Sequence, residues 1–263
     1  MKIALTIAGS DSGGGAGIQA DLKTFQQFGV YGTSVIVALT AQNTRGVRAV
    51  LATPASMVAE QLAALTEDLP PDAIKTGMLA SASLVAQVAQ AIERHRWTAY
   101  VCDPVMISTS GDRLLAADAE AVIRDRLLPL ARLVTPNLDE AALLTGLPVR
   151  DPAEMEAAGQ VLLRLGAAAA LIKGGHLTGP TMTDVLVTPG GTRHFTRPRI
   201  ATTSTHGTGC TLSAAITAGL ASGRPLETAV AEALDYLARA LEAAPGLGGG
   251  HGPVNHLVAA RRS

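Results

Sequence analysis

The chain has few aromatic residues and almost no net charge. Its 263 residues include three Phe, three Tyr and one Trp, and 21 Lys and Arg stand against 22 Asp and Glu. A balanced charge gives no strong overall field that would draw in nucleic acid or an anionic membrane surface. We therefore expect neither of these as a partner, and we expect a small-molecule ligand instead.

Cysteine and long apolar runs are equally sparse. Only Cys102 and Cys210 are present, which excludes a disulfide framework. No stretch of about 18 uninterrupted apolar residues occurs, so we predict no transmembrane helix. The first nine residues lack the apolar length and the cleavage site of a signal peptide, and we interpret them as the first strand. These absences predict a cytoplasmic protein with reduced thiols.

Hydrophobic residues make up 48% of the chain, and a chain of this length can bury roughly 70 to 75% of its unfolded surface. Short apolar, β-branched runs alternate with longer segments of helical period, which is typical of βαβ units around a buried parallel sheet. The pattern predicts one α/β domain over residues 1–263. Strands are predicted at 3–8, 34–39, 73–76, 99–103, 133–135 and 170–173. Helices are predicted at 18–28, 56–67, 83–94, 119–128, 152–165, 208–222 and 226–242.

Two segments interrupt this alternation. Residues 183–200 place a Gly-Gly pair between two strand-like runs, which predicts a hairpin at the edge of the sheet. Beyond this hairpin the sequence has helical character almost to its end, apart from the glycine-rich stretch 246–252, which we interpret as a flexible loop.

The unusual polar residues follow predicted strands. Residues 9–17, 103–106, 135–140 and 173–176 each come directly after an apolar run. In parallel α/β sheets, ligands bind beyond the carboxyl ends of the strands. We therefore expect these four loops to contribute to one site.

The sequence THGTGCT at residues 205–211 opens a predicted helix. Gly207, Thr208 and Gly209 would leave several backbone N–H groups unpaired, and the helix dipole adds positive charge, so this turn favours an anion. An ordinary glycine turn with Thr208 or Thr211 capping the helix is an equally good interpretation of these residues alone. Cys210 lies in the first helical turn, where a lowered thiol pKa would suit a base or a nucleophile. A small buried residue is the commoner role for such a cysteine.

Charged residues end other predicted strands. Asp103 and Glu140 are suited to holding Mg²⁺ through water, because this ion prefers oxygen ligands and keeps much of its hydration. Asn137 could orient them or a phosphate. Lys173 precedes two glycines, so its ammonium could meet a phosphate that approaches the backbone. The alternatives are a capping role for Asp103 before Pro104, a solvated position for Glu140 in the first turn of the next helix, and a snorkelling lysine.

The glycine loop at residues 9–17 matches neither common nucleotide-binding motif. Its spacing does not fit GxGxxG, which disfavours a nicotinamide-dependent dehydrogenase, and no Lys-Ser or Lys-Thr pair follows a glycine as a P-loop requires. The loop still allows a ligand to approach the backbone at Gly9. Asp21 and Gln42 could hydrogen-bond a nitrogen heterocycle, and Met78 could pack on its face, although core packing is the more frequent role of such a methionine.

Taken in order, these motifs resemble the bacterial hydroxymethylpyrimidine/phosphomethylpyrimidine kinase family. The resemblance covers nearly the whole chain and is far more specific than any single motif. It is carried by AGSDSGGGAGIQADLK at 8–23, AQNT at 41–44, KTGM at 75–78, DPVM at 103–106, TPN at 135–137, KGGH at 173–176, THGTGCT at 205–211 and GPVNH at 252–256.

The resemblance implies a ribokinase-like three-layer α/β/α sandwich with a mostly parallel sheet, usually assembled as a dimer, that uses ATP and Mg²⁺. It also implies phosphorylation of hydroxymethylpyrimidine and of its monophosphate in thiamine biosynthesis. Much of the wider superfamily has an Asp proton acceptor where this chain has Cys210. A pyridoxal or pyridoxine kinase of the same fold and a non-catalytic nucleotide- or vitamin-binding regulator are the alternative functions.

The same resemblance implies a role for each site residue. Gly9, Asp21, Gln42 and Met78 would bind the pyrimidine. Asp103, Asn137 and Glu140 would organise Mg²⁺ and its waters. Lys173 would contact the ATP phosphates, and Gly207, Thr208, Gly209 and Cys210 would form the anion hole.

Overall fold

A single nine-stranded sheet organises the chain in the computed structural model, which describes residues 1–106 and 117–261. The strand order is β3-β2-β1-β4-β5-β6-β7-β8-β9, and the pairs from β2 to β7 are parallel. The strands are β1 Ile3–Asp11, β2 Tyr31–Asn43, β3 Gly46–Ala52, β4 Ala73–Thr76, β5 Tyr100–Cys102, β6 Leu133–Val134, β7 Ala170–Ile172, β8 Thr181–Thr188 and β9 Gly191–Pro198.

Helices cover both faces of this sheet, as a strand buried on two sides requires. The α-helices are α1 Gly17–Gln27, α2 Ala55–Asp68, α3 Ala82–His95, α4 Ala117–Val122, α5 Leu138–Thr145, α6 Pro152–Arg164, α7 Thr208–Ala221 and α8 Leu226–Glu242. Residues of α2 to α6 share one hydrophobic core with one face of the strands. Residues of α1, α7 and α8 pack on the other face. The predicted three-layer α/β/α sandwich with a mostly parallel sheet is confirmed.

The predicted hairpin at the sheet edge is also confirmed. Strands β8 and β9 pair antiparallel from Thr181↔Pro198 to Thr188↔Gly191. By contrast, β3 was not predicted, because it lies exposed along most of its length and lacks the alternation of a half-buried strand.

Two helical segments depart from the sequence pattern. Helix α5 was not predicted, since it has only eight residues. The helix expected at 119–128 is α-helical only to Val122, and a π-helical turn and a 3₁₀ turn, Leu128–Leu130, follow. The 3₁₀ turn contains Pro129, which has no N–H group and cannot continue an α-helix.

The carboxyl ends of β1, β4, β5, β6 and β7 lie at the same edge of the sheet, because these strands are parallel neighbours. This edge therefore carries the loops that start at Ser12, Gly77, Asp103, Thr135 and Lys173. Among the helices described, none combines the length and apolar character that crossing a bilayer needs.

Candidate active site

Lys173 and Asp103 lie at the centre of the candidate site. Lys173 directly follows β7, and its Nζ is 2.9 Å from Asp103 Oδ1 and 3.8 Å from Glu140 Oε2. Thr135 Oγ1 donates to Asp103 Oδ1 over 3.2 Å, and Ser213 Oγ donates to Oδ2 over 3.1 Å. The loops that follow three different strands, together with helix α7, therefore hold this ion pair.

The start of α7 lies against the same ion pair. Gly207 is the N-cap with φ 78°, a left-handed conformation that suits glycine. A Cβ placed on Gly209 would lie 3.2 Å from Lys173 Nζ and 3.7 Å from Asp103 Oδ2. The structure thus brings Lys173 to the helix start formed by Gly207, Thr208 and Gly209. Unpaired N–H groups, the helix dipole and an ammonium together make a site for an anion.

Asn137 and Glu140 meet in a capping box at the start of α5. The Asn137 side chain accepts from the Glu140 N–H over 2.9 Å, and the Glu140 carboxylate accepts from the Asn137 N–H over 2.8 Å. Asn137 also bridges to Lys173 through the backbone. Both residues therefore lie beside Lys173. Glu140 lies in the first turn of α5 as the alternative interpretation expected, but it is buried, so the expectation of a solvated residue is wrong.

The two carboxyl groups differ in their electrostatics. Burial would raise the pKa of Asp103, but the ammonium groups of Lys173 and Lys75 hold it below its ordinary value. Burial raises the pKa of Glu140 to about 7, with Lys173 opposing the rise and Asp103 adding to it. Asp103 is therefore ionised at neutral pH, whereas Glu140 is close to half-protonated.

These acids fit an ion that keeps its water. Among residues 1–106 and 117–261, no group of three or more His, Cys, Asp or Glu side chains is arranged to chelate a metal. Asp103 and Glu140 both approach Lys173, and Mg²⁺ commonly binds through one or two carboxylates, waters and substrate phosphates. The donor set suits such water-mediated binding.

Cys210 lies in the first turn of α7 and is partly buried. Burial raises the pKa of its thiol to about 11, although the ammonium of Lys75 opposes the rise. The expected lowering of this pKa by the helix start is therefore wrong, because desolvation of the thiolate is the larger effect. Cys210 carries its proton at neutral pH. Cys102 is buried within β5, where packing was the role expected for it.

Gly9 and Met78 are in contact, and Gln42 lies against the glycine loop; their predicted contacts with a substrate stay predictions. A Cβ on Gly9 would lie 2.6 Å from Met78 Cε, so the methionine packs directly on this backbone. Gln42 lies in β2, and its backbone N–H and C=O both bond Ser12 Oγ in the glycine loop. The loop after β1 therefore contacts the end of β2 beside the site.

Asp21 lies beneath the site and not on its surface. The side chain is fully buried in α1, and its carboxylate accepts from Lys75 Nζ and from Thr6 Oγ1. Asp21 thus faces other protein groups, and its predicted contact with a substrate stays a prediction.

Sequence reasoning missed Lys75, Asp11 and His206. Lys75 is fully buried, and lysine at the end of a strand predicts exposure. Asp11 and His206 form a pair with Asp11 Oδ2 2.8 Å from His206 Nε2. Their 195-residue separation in the chain gave no signal of contact, although both belong to motifs that were singled out.

A cavity of about 590 Å³ was also not predicted. It lies beside the segment that leads from β9 into the start of α7. Its lining is formed by residues 200–204 together with Leu241, Glu242, Ala244 and Gly246.

Comparison with known proteins assigns this site to a family. The sequence profile described as phosphomethylpyrimidine kinase matches residues 11–255. The chain belongs to the phosphomethylpyrimidine kinase family. It is 53% identical over 258 residues to the hydroxymethylpyrimidine/phosphomethylpyrimidine kinase of Rhizobium meliloti, with 97% of each chain covered. It is 50% identical to the thiamine biosynthesis bifunctional protein ThiED of Geobacter sulfurreducens, covering 97% of this chain and about half, 52%, of that protein.

Solved structures agree with this assignment. The crystal structure of phosphomethylpyrimidine kinase from Clostridium difficile 630 has a TM-score of 0.82 and 42% identity, covering 91% of this chain and 99% of that one. The Bacillus subtilis pyridoxal kinase in its ADP complex has a TM-score of 0.91 and 36% identity, with 97% of each chain covered. The ribokinase-like fold is confirmed. The chain is a kinase, and membership of a kinase family implies the use of ATP.

Proposed function

We propose that this kinase transfers the γ-phosphoryl group of ATP to the hydroxymethyl oxygen of 4-amino-5-hydroxymethyl-2-methylpyrimidine and then phosphorylates the monophosphate, in thiamine biosynthesis. The observation that carries the proposal is the Lys173 ammonium, which lies against Gly209 at the start of α7 beside ionised Asp103. The names of the relatives, which are hydroxymethylpyrimidine/phosphomethylpyrimidine kinases at high coverage, support the substrate.

Charge neutralisation and positioning account for most of the catalysis in this proposal, as in phosphoryl transfer generally. The backbone N–H groups from Gly207 to Cys210 and the Lys173 ammonium meet the phosphoryl oxygens. Asp103 and Glu140 would hold Mg²⁺ through water, and the ion would supply further charge neutralisation. Asn137 fixes the orientation of Glu140.

Cys210 is the side chain that we place next to the substrate hydroxyl. Its pKa of about 11 makes it a thiol at neutral pH, so it does not ionise the alcohol in advance. Phosphoryl transfer has a loose transition state with little bond formation to the nucleophile. The hydroxyl proton can therefore leave late, when the oxygen has become acidic. Because Cys210 is already protonated, we propose that it relays this proton: its thiol gives its own proton to a phosphoryl oxygen as its sulfur accepts the proton of the hydroxyl.

The cavity beside the start of α7 is the proposed place of the ATP nucleoside. Residues 200–204 form part of its wall and lead directly to Gly207 and Thr208. A nucleoside in this cavity would extend its phosphates toward the anion site at the helix start. The volume of about 590 Å³ suits a ligand of this size.

We further propose a cytoplasmic homodimer. The β2–β3 hairpin and the start of α2 expose a group of large apolar side chains: Leu39, Val50, Leu51 and Met57 are 50%, 51%, 67% and 53% exposed. Leu39 and Leu51 are cross-strand neighbours, so they form one surface. Val50 is the neighbour of Leu51 along β3 and therefore points to the opposite face. An exposed apolar pair such as Leu39 and Leu51 favours association with a second copy. The two free cysteines suit a reducing compartment.

A pyridoxal kinase is the second candidate, because the Bacillus subtilis pyridoxal kinase has the same fold over 97% of both chains. ADP release from MgATP should be measured with the pyrimidine alcohol, its monophosphate, pyridoxal and pyridoxine, each against a control without acceptor. Turnover on the two pyrimidines is expected. Turnover on the pyridine alcohols alone would replace this function by the second candidate, and no turnover on any acceptor would favour a nucleotide- or vitamin-binding protein.

A further inference from the structure

Asp11 organises the glycine loop that follows β1. Its carboxylate is 2% exposed and accepts hydrogen bonds from the backbone N–H groups of Gly13, Gly15 and Ala16 over 2.8, 3.0 and 2.8 Å. Burial alone would raise the pKa of Asp11, but the bonds from His206 and from these N–H groups hold it below its ordinary value. A buried, ionised carboxylate thus fixes the conformation of residues 12–16.

His206 connects this carboxylate to the anion site. Its ring Nε2 lies 2.8 Å from Asp11 Oδ2, and the residue directly precedes Gly207, the N-cap of α7. The His206 backbone N–H donates to Gly252 O over 3.0 Å, and a parallel bridge joins His206 to Pro253. The C-terminal segment therefore fixes the backbone of His206, and the His206 ring faces the glycine loop.

The two loops also touch through their backbones. A Cβ on Gly15 would lie 2.6 Å from His206 Cδ2, and a Cβ on Gly207 would lie 1.8 Å from Gly15 O. The side-chain nitrogen Nε2 of Gln42 lies 3.5 Å from His206 Nε2. The pair thus lies where the substrate side, the glycine loop and the phosphate side meet.

We propose that Asp11 and His206 are positioning residues that latch the glycine loop at 12–16 to the anion-binding start of α7, so that both halves of the site take their binding geometry together. The two residues act through the loops and do not touch the reacting atoms. The latch is a separate element from the Lys173, Asp103 and Glu140 cluster.

The latch makes a specific kinetic prediction. A site that is competent in only a fraction of molecules binds its ligand more weakly by that fraction, while saturating ligand restores the competent form. Loss of the latch should therefore raise KM for the acceptor and leave kcat nearly unchanged. A hydrogen bond to a charged group is strong enough for a change of about tenfold.

The test compares Asp11→Asn and His206→Leu with two matched variants. His206→Gln keeps an N–H donor near the position of Nε2 and should retain KM within about threefold. Lys23→Met removes the bond from Lys23 Nζ to Gly14 O, 2.7 Å, which holds the same loop but does not reach α7. Asp11→Asn and His206→Leu should each raise KM for the acceptor about tenfold, and Lys23→Met should leave it within about twofold.

Amide hydrogen exchange on the protein without ligands gives a readout that does not depend on the substrate. The amides of Gly13, Gly15 and Ala16 should exchange about tenfold faster in both latch variants and at the wild-type rate in Lys23→Met. This part stands even if the acceptor is not the pyrimidine, whereas the kinetic part rests on the proposed function.

A double variant decides whether the two residues act as one unit. Asp11→Asn with His206→Leu should raise KM and exchange rates no further than either single change. Single effects that multiply in the double variant, unchanged exchange in His206→Leu, or a loss confined to kcat would each overturn the proposal. A fall in the amount of folded protein is detected separately from the unfolding midpoint of each variant.

Discussion

The ammonium of Lys75 lies 2.8 Å from each carboxylate oxygen of Asp21, and neither side chain is exposed to solvent. Burial would lower the pKa of Lys75, but the negative charge of Asp21, with a smaller contribution from Asp103, more than compensates, and the pKa is raised. Lys75 is therefore charged at the base of the site. The pair joins β4 to α1 beneath Cys210.

Replacing one member of this pair should destabilise the protein more than replacing both. Lys75→Met leaves the Asp21 carboxylate buried without its partner, which costs about 3–5 kcal/mol of the free energy of unfolding. Adding Asp21→Asn should recover much of this loss. Urea unfolding of both variants measures the difference.

A surface pair provides the control for this experiment. Lys2 and Asp72 lie 2.6 Å apart, with side chains 58% and 31% exposed, and Lys2→Met should cost about 1 kcal/mol or less. A Lys75→Met protein as stable as Lys2→Met would contradict the structural importance of the buried pair.

Lys173 should be needed for turnover. Lys173→Ala removes the ammonium beside Gly209 and should lower kcat/KM about a hundredfold, which equals about 2.7 kcal/mol of transition-state stabilisation. Steady-state kinetics with the pyrimidine alcohol and MgATP test this. His176→Ala, in the same loop but exposed, is the control and should have wild-type kinetics. Unchanged turnover in Lys173→Ala would remove the lysine from the mechanism.

Cys210 should be needed for proton transfer. Cys210→Ala is expected to lower kcat about a hundredfold, the low end of general-base effects. Cys210→Asp should recover part of this loss because a carboxylate can accept the proton. Cys102→Ala, which removes the other thiol within β5, should leave turnover unchanged. Full activity of Cys210→Ala would show that the thiol takes no part in proton transfer.

The two glycines after Lys173 should differ sharply in how well they tolerate replacement by alanine. A Cβ on Gly174 would lie 1.8 Å from Thr183 O, whereas a Cβ on Gly175 meets nothing closer than Met182 Sδ at 4.0 Å. Gly174→Ala must move backbone and should cost about 1–3 kcal/mol of stability, together with turnover, because Lys173 moves with it. Gly175→Ala should be close to neutral in thermal unfolding and kinetics. Equal behaviour of the two variants would contradict the close packing at Gly174.

Periodicity and motif order predict most of the fold, and the exceptions have physical causes. Strand β3 is not predicted because an exposed edge strand lacks the alternation of apolar and polar residues that marks a half-buried strand. The loops of the site could be expected at one edge of the sheet because parallel strands place their carboxyl ends together. Burial, however, is not visible in the sequence, and burial decides the charge state of Cys210 and the partner of Asp21.

Glu140 should make stability depend on pH near neutrality. Burial raises its pKa to about 7, well above the value of about 4.3 in an unfolded chain. Because the folded protein holds this proton more tightly than the unfolded chain, the contribution of Glu140 is complete below about pH 4.3 and is lost as the pH rises through about 7. Glu140→Gln should remove this loss and flatten the free energy of unfolding between about pH 5 and 7.

Urea unfolding at several pH values measures this slope, with Glu154→Gln as the control. Glu154 is a partly exposed acid at the start of α6, and its pKa is lowered by its hydrogen bond with Arg150. It is therefore already ionised across this range, and its substitution should leave the slope as in the wild type. Parallel curves for the wild type and Glu140→Gln would show that Glu140 is ionised throughout this range. The Lys173 ammonium would then stabilise the Glu140 carboxylate more strongly than their separation of 3.8 Å indicates.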